Sequence, residues 1–206
     1  MRDWMDRFGI TLRFSLETSL LTDEPMDMTS QYRVEVLQDE ETVAGHFTVY
    51  RFELNTAINQ RVDLVDVFDS FSQETYDFFE HLYDHDRQEW KESLGEEINA
   101  LDILYFQWAE FPEDLARSTG VLAAAERIIQ VLGASCSIAA LWPWEDPHAS
   151  RKTDASEESL SIWATCDSEL FWKRLGFRKF EDTPILVRDL RRREPFPIAK
   201  LLEADD

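Results

Sequence analysis

The feature that most constrains this chain is a change of hydrophobic period between residues 101 and 133. LDILYFQWAEF (101–111) is apolar and aromatic almost throughout, whereas PEDLARSTGVLAAAERIIQVLG (112–133) sets Val121, Leu122, Ala125, Ile128, Ile129 and Leu132 at helical spacing. The first pattern is that of a strand covered on both faces; the second is an amphipathic helix. Gly133 is well placed to end that helix, and ASCSIAALWPW (134–144) comes next as a second short buried strand. A strand-helix-strand unit of this kind needs a sheet with helices packed against it.

The flanking segments extend that sheet. ITLRFSL (10–16) alternates apolar and polar residues, and YRVEVLQDEETVAGHFTVYRFEL (32–54) has two alternating arms around Asp39, Glu40 and Glu41, which predicts a β-hairpin with an acidic turn. Residues 63–97 then show helical spacing at Leu64, Val65, Val67, Phe68 and Phe71, and again at Phe78, Phe79, Leu82 and Tyr83, with Ser72 and Gln73 as the break between two helices. Twelve acidic residues stand against Arg87 and Lys91 there, a net of −10, read either as a solvated helix face or as a lip that attracts cations. Residues 145–158 are polar and aperiodic, as in a surface loop, and SELFWKRLGF (168–177) predicts a last helix before the strands RKFED (178–182) and PILVRDL (184–190). The expected class is α/β (α+β), a mixed, mostly antiparallel sheet flanked by helices, in one domain over 1–206.

Composition narrows the function classes. A net charge of −21 argues against nucleic acid as a partner, since a phosphate-binding surface needs an excess of Lys and Arg. An acidic inhibitor that mimics DNA is compatible with it. The start MRDWMDRFGITLRF lacks the apolar core of a signal peptide, and no apolar run approaches the roughly 18 residues of a membrane span, so a soluble cytoplasmic protein is expected, with no membrane partner. Cys136 and Cys166 show neither CxxC spacing nor a nearby histidine cluster, which leaves no metal site to expect; they are read as buried thiols, with a structural disulfide as the alternative.

Chemistry concentrates around the helix entrance. Arg117, Ser118, Thr119 and Gly120 precede Val121, and helix N-termini bind phosphates through unpaired N–H groups and a partial positive charge. Ser118 and Thr119 serve equally well as helix caps. The span 101–190 resembles the GNAT family of N-acetyltransferases in the order of its elements and in two motifs. The family's pyrophosphate loop (Arg or Gln, two residues, Gly, one residue, Gly or Ala) is matched by Arg117 and Gly120, with Leu122 in the last position; FWKRLGF (171–177) looks like the family's helix that ends in Leu-Gly-Phe. Residues 1–100 are divergent, because the helical pair comes after the hairpin, where the family usually places its first helices after strand one. Trp172 stands where many members have a tyrosine that protonates the departing coenzyme A thiolate; an indole N–H is no comparable acid.

The resemblance implies acyl transfer from acetyl-CoA, or another acyl-CoA, to a small-molecule or protein amine. It would place the coenzyme against Trp108, Ala109, Arg117, Ser118, Thr119, Gly120, Val121, Leu122 and Trp172. An amine nucleophile must shed a proton, for which Glu110 is the first candidate base and Glu53 the second, with the oxyanion held by a backbone N–H of the same strand. Either glutamate also reads as a solvated strand-end charge, and His46 as structural or solvated. Trp142, Trp144 and His148 suggest an aromatic wall of a substrate pocket or plain rim packing. Arg188, Arg191, Arg192 and Arg193 suit pairing with the acidic helices or with a second subunit, in a homodimer. The departures at Leu122 and Trp172 suggest the alternative, a catalytically inactive GNAT-like acyl-CoA-binding or protein-interaction module.

Overall fold

The computed structural model describes residues 9–17, 24–38, 41–94, 102–116, 118–143, 159–161 and 168–191. They form a mixed, mostly antiparallel sheet flanked by helices, as the periodicities require. The strands are β1 (Ile10–Glu17), β2 (Thr29–Gln38), β3 (Thr42–Phe52), β4 (Tyr83–Asp84), β5 (Glu89–Trp90), β6 (Ile103–Pro112), β7 (Ile138–Leu141), β8 (Ser159–Ser161), β9 (Arg178–Lys179) and β10 (Leu186–Asp189). The helices are α1 (Leu54–Gln60), α2 (Leu64–Asp69), α3 (Gln73–Leu82), α4 (Glu113–Ala116), α5 (Thr119–Leu132) and α6 (Ser168–Arg174). The main sheet runs β1-β2-β3-β6-β7-β10-β9, with β8 also beside β6, while β4 and β5 form a separate ladder. Within the main sheet β6 and β7 pair in parallel and every other pairing is antiparallel.

Two-sided burial explains the unbroken apolar run in β6. Its Leu104 and Phe106 join Val34, Phe47, Leu122, Ile128 and Trp172 in one core cluster, and its Ile103 and Tyr105 join Phe52, Phe68, Phe78 and Phe79 in another. α5 packs on the first side and α1 to α3 on the second. No helix among the described residues is long and apolar enough to cross a membrane.

In the acidic segment α3 ends at Leu82, a two-stranded turn follows, and one 3-10 turn comes at Glu92–Leu94; residues 95–97 of the expected helical stretch lie outside the described residues. Tyr83 is extended at φ −112° and ψ 142°, and the Asp84 carboxylate accepts the N–H groups of Asp86 and Arg87, closing a turn that leads into β5. An aspartate that caps a turn competes with helix propagation. α1 has no counterpart in the sequence-based expectation; Leu54 and Ala57 bury one side of it. At the other end of the chain, Gly176 has φ +80°, the left-handed conformation needed to turn from α6 towards β9.

Glu126 and Cys136 are two of the buried groups that carry charge or a thiol. Glu126 on α5 meets Arg188 on β10 in an ion pair, and the Gln130 amide donates to it at 3.2 Å. Burial nonetheless raises the Glu126 carboxyl above its ordinary range, with Arg188 and Gln130 opposing the shift. Cys136 is free and buried, and desolvation pushes its thiol up to about 12. Cys166 lies outside the described residues.

Gly45 permits a close approach between the neighbouring strands β3 and β6. A Cβ there would lie 2.3 Å from Phe111 Cδ1 and 2.5 Å from the Glu110 carbonyl oxygen, and that backbone oxygen has no rotamer to escape into. Gly45→Ala is therefore expected to destabilise the protein by about 2–3 kcal/mol, read as a lower urea midpoint at unchanged slope.

Candidate functional site

The site grows out of an irregularity in β6. Val49 pairs with Phe106 and Thr48 with Trp108, so Gln107 is an extra residue that the backbone ladder with β3 skips. Such a bulge bends a strand and re-aims the residues beyond it. On the other edge of β6, the parallel pairing with β7 stops at Phe106 and Leu141, and antiparallel pairing with β8 begins only at Glu110. Among the described residues, Gln107, Trp108 and Ala109 thus have no strand partner on that edge. An open stretch of ladder is a template for an extended chain.

Glu110 closes this stretch. It is half-buried and lies directly opposite His46 of β3 on one side and Ser161 of β8 on the other. His46 is in turn opposite Glu35, and Glu35 is opposite Arg13, which it meets at 3.1 Å. Burial chiefly, then the Arg33 guanidinium, holds the His46 imidazole below its usual pKa, against the pull of Glu110 and Glu35. The shift favours the neutral imidazole over the imidazolium. On the same strand, the Tyr50 hydroxyl donates to Gln107 Oε1, while on β6 the Tyr105 hydroxyl donates to Glu74 Oε1 at 2.7 Å.

Glu53, the second candidate base, sits elsewhere. It is the N-cap of α1, just past Phe52, which pairs with Ile103 at the opposite end of β6 from Glu110. Seven strand steps separate those ends, about 23 Å. The two glutamates do not converge on one site.

The helix entrance is built for packing. Ser118 caps α5 by accepting the Val121 N–H at 3.2 Å, and its carbonyl accepts the Leu122 N–H at 3.3 Å. The N–H of Ser118 itself donates to the Leu115 carbonyl at 2.8 Å. The cap reading of Ser118 is therefore realised, and three N–H groups assigned to a phosphate have partners within the chain. Thr119 is half-buried, while the Gly120 face lies against β1: a Cβ on Gly120 would stand 2.6 Å from Ile10 Cδ1. Leu122 is fully buried, pointing into the core rather than towards a ligand. A half-open cavity of about 210 Å³ lies beside this entrance, walled by Ile10, Val36, Phe111, Leu115 and Val121. Arg117 lies outside the described residues.

Trp172 is fully buried, its ring centroid 5.1 Å from those of Phe106 and Phe177 and 5.2 Å from that of Phe171. It packs on the last residue of the β6–β7 pairing and serves the core there. Trp142 is half-buried and makes an edge-on contact with His81 of α3 at 5.3 Å, while Trp144 and His148 lie outside the described residues. Arg188 turns inwards to Glu126, and Arg191 bridges to Asp189 and to the Leu94 carbonyl, partners that lie off α2 and α3. Arg192 and Arg193 lie outside the described residues.

The structure thus sets Trp108 and Ala109 on one edge of β6 with Glu110 at its limit, places Ser118 to Leu122 at the entrance of α5 against β1, and buries Trp172 against Phe106, Phe171 and Phe177. Sequence reasoning missed the Gln107 bulge and the apposition of His46 and Glu110, because both depend on pairing between distant strands. Compared with protein-family models, with curated proteins and with solved structures, the chain matches none.

Proposed function

We propose that this chain is a GNAT-type, acyl-CoA-dependent N-acyltransferase that holds the extended arm of acetyl-CoA, or another acyl-CoA, along the open edge of β6. The observation that carries this reading is that, among the described residues, Gln107, Trp108 and Ala109 have no strand partner on the β7 side of β6, between the end of the β7 pairing and the start of the β8 pairing. A backbone N–H in that stretch is suited to stabilise charge on the thioester oxygen as an amine attacks its carbon. Glu110, next along the strand, takes the proton that the amine must lose, and neutral His46 opposite it is placed to pass that proton to solvent. The C–N bond forms as the C–S bond breaks, and the thiolate leaves to take a proton from water, since Trp172 has no acidic hydroxyl to offer. The high density of carboxylates favours a cationic amine as acceptor.

A second reading, an acyl-CoA-binding module without catalysis, is favoured by the helix entrance. Val121 and Leu122 N–H groups are engaged within the chain, and Trp172 lies in the core. One pair of measurements separates the readings. Acetyl-CoA at 100 times its dissociation constant is expected to stabilise the fold by about 2.7 kcal/mol, seen as a rise in Tm. Release of free thiol with a panel of amines supports the transferase; the same Tm rise without thiol release supports the binding module. An unchanged Tm at millimolar acetyl-CoA contradicts both.

A further inference from the structure

We propose that β1 is a dimerisation edge, on which a second copy of this chain pairs its own β1 antiparallel across a two-fold axis. β1 is the terminal strand of the main sheet, joined to β2 over eight residue pairs, and among the described residues nothing pairs with its outer edge. The opposite end of the sheet is protected: β9 has two residues, Arg178 and Lys179, both exposed. Short, cationic edge strands resist pairing, whereas a long and largely uncharged one invites it. β1 spans about 27 Å.

One face of β1 is apolar. Leu12, Phe14 and Leu16 lie opposite Val36, Val34 and Tyr32 of β2, on the side that α5 covers; Leu12 packs on the core, but Phe14 is 38% and Leu16 54% exposed. An edge of backbone donors and acceptors beside an uncovered apolar row fits a strand, and the residues of β1 make it complementary to itself. A two-fold axis perpendicular to the sheet keeps each face on its own side, so even-numbered residues oppose even-numbered ones. Centring the axis on Phe14 places Phe14 on its symmetry mate, Leu12 opposite Leu16, Arg13 opposite Ser15 and Thr11 opposite Glu17. Moving the centre to residue 13 would oppose two arginines, and moving it to residue 15 would leave fewer residues paired. Arg13 is already balanced by Glu35 at 3.1 Å, so this edge escapes the strong negative charge that keeps other surfaces of two copies apart. The joined apolar rows then cover one another. This assembly does not depend on the coenzyme reading.

The test is sedimentation of the full chain across micromolar to submillimolar concentrations, where a mass of twice 24.2 kDa is expected. Phe14→Lys is expected to raise the dissociation constant roughly tenfold or more, while Val43→Lys, at an exposed apolar site on β3, leaves it unchanged. A cysteine at the axis reports the register: Phe14→Cys in a Cys166→Ser background is expected to cross-link under mild oxidation, because directly opposed Cα atoms lie within disulfide range, whereas Thr11→Cys is not. A monomer throughout, a dimer indifferent to Phe14→Lys, or cross-linking through residue 11 in place of 14 would overturn the proposal.

Discussion

Glu110→Gln is expected to lower acyl transfer by about 10²–10⁴-fold while leaving the affinity for acetyl-CoA unchanged. The substitution keeps the size and one acceptor of the side chain but cannot take a proton. Its surroundings favour the split between binding and turnover. Glu110 lies on the strand just beyond Gln107, Trp108 and Ala109, where the coenzyme is proposed to run, and its neighbour across the strands is His46. A base needs access to the nucleophile, and half-burial beside a bulge provides it without full desolvation. His46→Asn is expected to cost less, since a residue that passes a proton onward can be replaced by water. Glu53→Gln, at the far end of the sheet, should leave transfer unaltered. These comparisons are read from initial rates of thiol release beside calorimetric binding of acetyl-CoA.

Arg188→Met is expected to destabilise the fold by about 3–5 kcal/mol near neutral pH, because it strands the buried Glu126 carboxylate. The sign of its pH dependence comes from the direction of the Glu126 shift. Burial raises that carboxyl's pKa in the folded chain, so the native state holds the proton more tightly than the unfolded chain does. Stability is then complete below the unfolded carboxylate range and falls as pH rises through the folded value. Removing Arg188 takes away the main opposing influence and widens that window upwards. Urea unfolding of Arg188→Met at about pH 5 and about pH 8 should give the larger loss at the higher pH. Adding Glu126→Gln to Arg188→Met should remove most of that pH dependence, since the titrating group is gone.

Much of the architecture was legible because periodicity reports burial directly. The unbroken run 101–111 gave β6 with both faces covered, and the stripe from Val121 to Leu132 gave α5 with Ser118 as its cap and Gly133 at its end. The helix before the closing strands and the hairpin of β2 and β3 were legible in the same way. Local competition was harder to read. The turn around Asp84 stops the acidic helical stretch at Leu82, and the weak stripe of LNTAINQ concealed α1. The site was legible in part. Trp108, Ala109 and Glu110 fall together on β6, whereas periodicity could not reveal that Ile10 lies against Gly120 or that Trp172 is enclosed by Phe106, Phe171 and Phe177. Those facts depend on which strands become neighbours, and a bulge such as Gln107 leaves no pattern of its own in the sequence.

The central proposal is that the Gln107 to Ala109 stretch of β6, which has no strand partner on its β7 side among the described residues, receives an acyl-CoA. Backbone amide resonances of the full chain, monitored during titration with acetyl-CoA, test this most directly. Saturable shifts centred on Gln107, Trp108 and Ala109, extending to Thr119 and Gly120 at the entrance of α5, are the expected result. Unchanged amides along β6 at millimolar acetyl-CoA, or shifts confined to another face of the sheet, would contradict it.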